Sequence, residues 1–272
     1  MVKVFRRLSF IVTFLVLLLQ GFSVQALHKK DLIVIVGDSR ACSLAISLTE
    51  SEDYVALESP LNREYKINNG IFSFESEDSI IYIVAYGGGT VLNEYELTLD
   101  WTENILSKLD LSKFSSYNVV NIFGVGDSCN DEYKDKVEKY IQITSEFLHR
   151  VTDEVNFIQC TIGPIDESGC MYPLWNNKDI SLYNGYLSLT CTLNGIRVLD
   201  LYNELVESGF TCKYIEGVDT TGVHYDSKTD LYIMKYIESN INCNNPLISQ
   251  IIPENVRPIG IVNKVRLFNY ER

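Results

Sequence analysis

The 272-residue chain predicts an α/β domain whose mostly parallel, five-stranded sheet carries helices on both faces. Three observations predict it. Short apolar runs rich in β-branched residues recur along the chain. Segments of helical period separate them, and the glycine-containing turns fall where the runs end. Strands that alternate with helices pair in parallel and are covered on both sides. With 46% apolar residues the chain can bury a sizeable core and is too apolar to stay disordered, and its length suits one such domain.

Leu32–Val36 is the first expected strand, followed by a helix over Ala41–Thr49. Ile80–Tyr86 is the second, with a helix within Asn93–Leu109. Tyr117–Phe123 is the third. The long helix Asp131–Val151 follows, with Tyr133, Val137, Tyr140, Ile141, Phe147 and Leu148 recurring along one face. Val155–Ile162 and Ile196–Leu199 are the fourth and fifth strands, flanking a helix over Asp179–Leu193, and Ser227–Asn240 is the last helix. Ser51–Asp78 alternates weakly between turn residues and reads as a small hairpin insertion.

The ends read differently. Lys3, Arg6 and Arg7 precede an apolar run, Leu8–Leu19, and Val24-Gln25-Ala26 places small residues for signal peptidase. Residues 1–26 are expected to be a cleaved secretory signal, leaving residues 27–245 as the domain and 246–272 as a C-terminal extension. The product is expected outside the cell or at its surface, with no stable membrane insertion. Removing three basic and no acidic residues takes the net charge from −13 to −16. Such a field repels nucleic acid and anionic lipid, so the expected partner is a small-molecule or glycan ester. No C-x-x-C pair occurs among the seven cysteines, and there are only three histidines. Neither a metal site nor a cofactor is expected. Cys160, inside an apolar run, is expected to act as a small core residue.

Ligands of parallel α/β sheets bind beyond the carboxyl ends of the strands. The first strand ends there in Gly37-Asp38-Ser39-Arg40. A serine between a strand and a helix N-terminus can act as a nucleophile, with backbone N–H groups placed for an oxyanion; it can equally be a helix cap. Gly126-Asp127-Ser128 is a second such tripeptide. A serine nucleophile needs a base. His28 lies next to the expected cleavage site, and His149 fits a helix C-terminus, where cations are favoured. His224, in Thr221-Gly222-Val223-His224-Tyr225, is the histidine at the functional end of the sheet.

The order of these motifs resembles the SGNH (GDSL-like) hydrolases, particularly their secreted bacterial members. The resemblance rests on Gly37-Asp38-Ser39, Gly87-Gly88-Gly89 after the second strand, Gly124-Val125-Gly126-Asp127 after the third, Gly163-Pro164-Ile165-Asp166-Glu167 after the fourth, and Gly222-Val223-His224-Tyr225. It covers roughly residues 31–240 and selects Ser39 over Ser128. It implies a flavodoxin-like three-layer α/β/α sandwich and a serine esterase that hydrolyses an acyl ester, with O-acetyl on a carbohydrate as one expected case. Ser39 would be the nucleophile and His224 the base. The N–H groups of Ser39 and Gly88, or of Gly87, would hold the oxyanion, and Arg40 and Asp127 would contact substrate. Two positions depart from the family pattern. Its Asn oxyanion donor is Gly126 here, with Asn121 or Asn130 as substitutes. Its triad aspartate is Thr221, with Asp219 the nearest orienter for His224 and Asp226 another. These departures also suit a catalytically degenerate module that binds glycan or protein. Tyr172 and Trp175 could offer a sugar-stacking face or simply anchor their loop.

Overall fold

The computed structural model describes residues 29–57, 69–128, 132–170, 175–209 and 222–242. The expected signal segment and C-terminal extension lie outside these residues, as do His28, Asn130, Tyr172, Asp219 and Thr221.

The sheet has seven strands: β1 (Asp31–Gly37), β2 (Val55–Ala56), β3 (Asn69–Glu75), β4 (Ser79–Tyr86), β5 (Tyr117–Asn121), β6 (Val155–Cys160) and β7 (Arg197–Leu199), in the order β2-β3-β4-β1-β5-β6-β7. The five strands anticipated from sequence are the parallel set, β4-β1-β5-β6-β7. The count of five is corrected by the two antiparallel strands β2 and β3, which arise within the expected insertion. A tight turn closed by Ser76 N–H donating to the Ser79 carbonyl, at 2.9 Å, folds β3 onto β4. Counted in chain order, the parallel strands run 2-1-3-4-5 across the sheet, the flavodoxin-like order, whose switch point lies between the first and third strands. Here those strands are β1 and β5.

Among the described residues six α-helices cover the sheet: α1 (Ser39–Thr49), α2 (Tyr95–Lys108), α3 (Tyr133–Arg150), α4 (Asn177–Leu193), α5 (Leu201–Glu207) and α6 (Ser227–Asn240). Alternation along β1 divides the core. Leu32, Val34 and Val36 face a cluster with Tyr95 and Leu99 of α2, Val137, Tyr140 and Phe147 of α3, and Tyr183 and Leu187 of α4. Ile33 and Ile35 face Ala41, Leu44 and Leu48 of α1, Leu205 of α5, and Ile233, Met234 and Ile237 of α6. The short helix α5 was not anticipated; at seven residues it is too brief to show a helical period. Cys160 is a fully buried core residue, and burial pushes its thiol up to about 12.

At the switch point the chain from β1 enters α1 on one face, while the chain from β4 passes through α2 on the other. The loops after β1, β4, β5 and β6 therefore open at one edge of the sheet. Helix α3 starts at that edge and ends at the opposite one. His149, exposed in its last turn, thus lies at the opposite end of the sheet from the loop that carries Ser39.

Candidate active site

Asp38 organises the end of β1. Its Oδ1 accepts the Arg40 N–H at 3.0 Å and caps α1. Its Oδ2 accepts the N–H groups of Gly124 and Val125 at 2.9 and 3.0 Å. One buried carboxylate thus starts the helix that carries Ser39 and ties it to the turn after β5. Asp38 takes the capping role, so Ser39 is left half-buried at the first helical position. Ser128, the rival serine, is 1% exposed and its hydroxyl donates to the Val125 carbonyl at 2.8 Å. The geometry therefore favours Ser39 on grounds independent of motif order.

The loop after β4 bears the three glycines. Gly88 has φ of +73°, and a Cβ added there would meet nothing within 4 Å. The left-handed backbone suits glycine and leaves this wall free of side chains. Gly87 directs its N–H at the Cys42 sulfur. The thiol itself is pushed up to about 12 by burial and then by the neighbouring Asp38, so Cys42 is not an activated nucleophile. Among the described residues, the N–H groups of Ser39 and Gly88 have no hydrogen-bond partner. Of the two glycines left open by the sequence, Gly88 is the one with its donor available.

His224 is half-buried, in a loop fixed on several sides. Arg40 is 5% exposed, and its guanidinium fans out to three carbonyls: Nε to Val223 at 2.9 Å, Nη1 to Gly163 at 2.9 Å and Nη2 to Pro164 at 2.8 Å. It stacks 4.5 Å from the Tyr225 ring centroid, while the Tyr225 hydroxyl donates to the Pro164 carbonyl at 3.1 Å. Gly222 accepts the Asp166 N–H at 2.9 Å. The residue after Ser39 thus holds the residue before His224, bridging 183 positions of chain.

Arg40 and Asp127 were expected to contact substrate; the structure buries both and engages them within the protein. Arg40 lies beneath the site as its tether. Asp127 is fully buried, accepting the Val91 N–H at 3.0 Å and the Tyr140 hydroxyl at 3.1 Å, with Lys136 Nζ 3.6 Å from its other oxygen. Burial, the dominant influence, pushes its carboxyl above the usual range. Motif position alone could not distinguish a lining residue from one turned inward. Asn121 is likewise in the core: its Nδ2 donates to Gln159 at 2.7 Å and its Oδ1 accepts the Phe123 N–H at 3.0 Å, so it does not replace the missing oxyanion donor. Asp226 caps α6 by accepting the Thr229 N–H at 2.8 Å. Asp166 accepts from Ser168 and Gly169 within its own turn. Trp175 packs against the core, as a loop anchor does. No group of metal ligands occurs among the described residues.

Sequence reasoning missed the residues that hold the site together, namely Asp38, Gly163 and Tyr225. A Cβ on Gly163 would fall 2.1 Å from the Tyr225 hydroxyl and 3.0 Å from Leu205 Cδ1. Gly163→Ala is therefore expected to cost about 1–3 kcal/mol, the range of an overpacked core. Adding Tyr225→Phe should recover much of that loss, because the nearest clashing atom is removed. Thermal unfolding of the single and double variants measures it, and additive losses would contradict the assigned clash.

No protein-family model matches the chain, and no curated protein matches it. Solved structures similar to it include a member of the lipolytic G-D-S-L family from Veillonella parvula, at 13% identity and a TM-score of 0.42, covering 77% of this chain and 97% of that one. An acetyl xylan esterase is similar at 14% identity and a TM-score of 0.48, covering 77% and 99%. An acetylxylan esterase from Geobacillus stearothermophilus is similar at 14% identity and a TM-score of 0.44, covering 80% and 97%. Each is a likeness at low identity.

Proposed function

We propose that this chain is an SGNH-type serine esterase that acts on acyl esters through Ser39 and His224. The observation that supports it best is the Arg40–Val223 hydrogen bond of 2.9 Å, whose two ends are the immediate chain neighbours of the nucleophile and the base. In this reading His224 takes the Ser39 proton as Oγ attacks the acyl carbonyl carbon. The resulting oxyanion is held by the N–H groups of Ser39 and Gly88. Collapse breaks the ester bond, and the imidazolium gives its proton to the departing alcohol. Water, deprotonated by His224, then releases the acid and restores Ser39.

The strongly acidic chain favours neutral or cationic substrates. We place the enzyme outside the cell or at its surface, on the signal-like residues 1–26, and take O-acetylated carbohydrate as the substrate class to test first. Residues 27–272 should hydrolyse p-nitrophenyl acetate, and a sulfonyl fluoride should transfer its sulfonyl group to Ser39 with loss of HF, adding the mass of the reagent less HF to the peptide containing Ser39. Ser39→Ala should abolish both. Equal rates for the two proteins, with Ser39 unlabelled, would instead mark the chain as a binding module on the same scaffold.

A further inference from the structure

A buried carboxyl that the proposed chemistry does not use joins the two helices that start at the site. Helix α1 begins on Ser39, and α6 begins three residues after His224. The two lie side by side and run the same way. Asp230 on α6 is level with Ser43 and Ser47 on α1. Further along, Tyr54 and Asp53, beyond the end of α1, meet Glu238 and Lys235 of α6. Parallel helices bring two positive N-terminal ends to one edge. Asp230, in the first turn of α6, places a negative charge near the positive end of that helix.

Asp230 is 1% exposed, and both serine hydroxyls donate to its Oδ2 at 2.8 Å. The charged groups that act on it are Arg40 from α1 and Asp226 from the start of its own helix. Lys235 and Glu238 are engaged with Asp53 and Tyr54, and Glu204 of α5 accepts from Tyr232.

We propose that Asp230 is a positioning residue of the Ser39–His224 site, holding α1 and α6 in register through Ser43 and Ser47 and supplying a buried negative charge between the two helices. The inference rests on the esterase reading. Burial, the largest influence, raises the Asp230 carboxyl to about 7, against the lowering by Ser43, Ser47 and Arg40. The charge is therefore present above neutrality and absent in acid.

Asp230→Asn keeps the size of the side chain and an oxygen for the two serines, while removing the charge. At pH 8 it should lower kcat about tenfold with little change in KM. The ratio of wild type to variant should fall toward one below about pH 6, which a purely structural role would not produce. Ser43→Ala/Ser47→Ala removes two interactions that lower the carboxyl, so its inflection should move to higher pH. A ratio independent of pH, or an unmoved inflection in the serine variant, would overturn the proposal. Thermal stability gives a separate readout. An acid raised in the folded state stabilises the fold fully below its unfolded value and loses that contribution as pH rises through the folded one. Asp230→Asn should therefore gain in melting temperature relative to wild type between about pH 4 and pH 8. No rate above Ser39→Ala at any pH would mean that the esterase reading fails and the positioning role falls with it. A flat melting difference with intact activity would refute the buried charge alone.

Discussion

Gly126→Asn is expected to raise kcat on p-nitrophenyl acetate by about 10²-fold, since one oxyanion donor contributes about 10²–10³ in rate. The site has two available backbone donors, at Ser39 and Gly88, and no side-chain donor from Asn121, which is committed to Gln159 and Phe123. The space for a third donor exists. A Cβ at Gly126 would lie 3.7 Å from the Gly89 carbonyl and 3.8 Å from Thr90 Cγ2, ordinary contact distances. No positive φ is found at Gly126, so an L side chain enters without backbone strain. Those neighbours belong to the loop that bears Gly88, so an amide two bonds beyond the Cβ reaches the oxyanion. Gly126→Ala is the control, because it fills the space without donating. If Asn and Ala change kcat alike, the third donor does not belong at this position. If both lower the rate, the open space is itself used by substrate.

The scaffold was legible because its signals are local. Each parallel strand is a β-branched run bounded by glycine or polar turns, and the observed bounds stay within two residues of the expected ones at most ends. The sheet needs parallel strands buried on both faces, and Leu32–Val36 shows this as an unbroken apolar run. β2 and β3 were harder to see, since β2 has only two residues and β3 gains its order from β4. The turns that carry Ser39 and His224 were legible for a similar reason: each lies next to a strand or helix start. The role of Arg40 was not. Its three acceptors are carbonyls 123 to 183 residues away, and a backbone carbonyl has no residue type to read. Asp127 misled for the complementary reason. A carboxylate beside a functional turn reads as a ligand contact, while Val91, Tyr140 and Lys136 draw it inward. Asp230 is the same case, since its pairing with two serines 187 and 183 residues earlier leaves no local pattern.

Arg40→Met is expected to destabilise the protein by at least about 3 kcal/mol and to lower kcat by about 10² or more. Hydrogen bonds to a charged group contribute about 1.5–3 kcal/mol each, and an acceptor left unpaired in the interior costs about 1–3 kcal/mol. Methionine fills the volume and keeps part of the packing on Tyr225, but removes the guanidinium donors from the Val223, Gly163 and Pro164 carbonyls, of which Pro164 keeps the Tyr225 hydroxyl. The catalytic loss follows from geometry. The loop holding His224 meets the Ser39 turn through the Arg40–Val223 bond, and a shift of about 1 Å in a catalytic group can cost about 10²-fold. Arg40→Lys tests the same point more finely. An ammonium cannot present a planar fork to three separated carbonyls, so Lys should restore part of the stability and little of the rate. The loss should fall on kcat with KM nearly unchanged, because Arg40 is buried and committed to three carbonyls. A large rise in KM with kcat intact would return Arg40 to the substrate-contacting role first read from its place beside Ser39. Retained stability and rate in Arg40→Met would show that the His224 loop is held by Tyr225 and Gly222 without it.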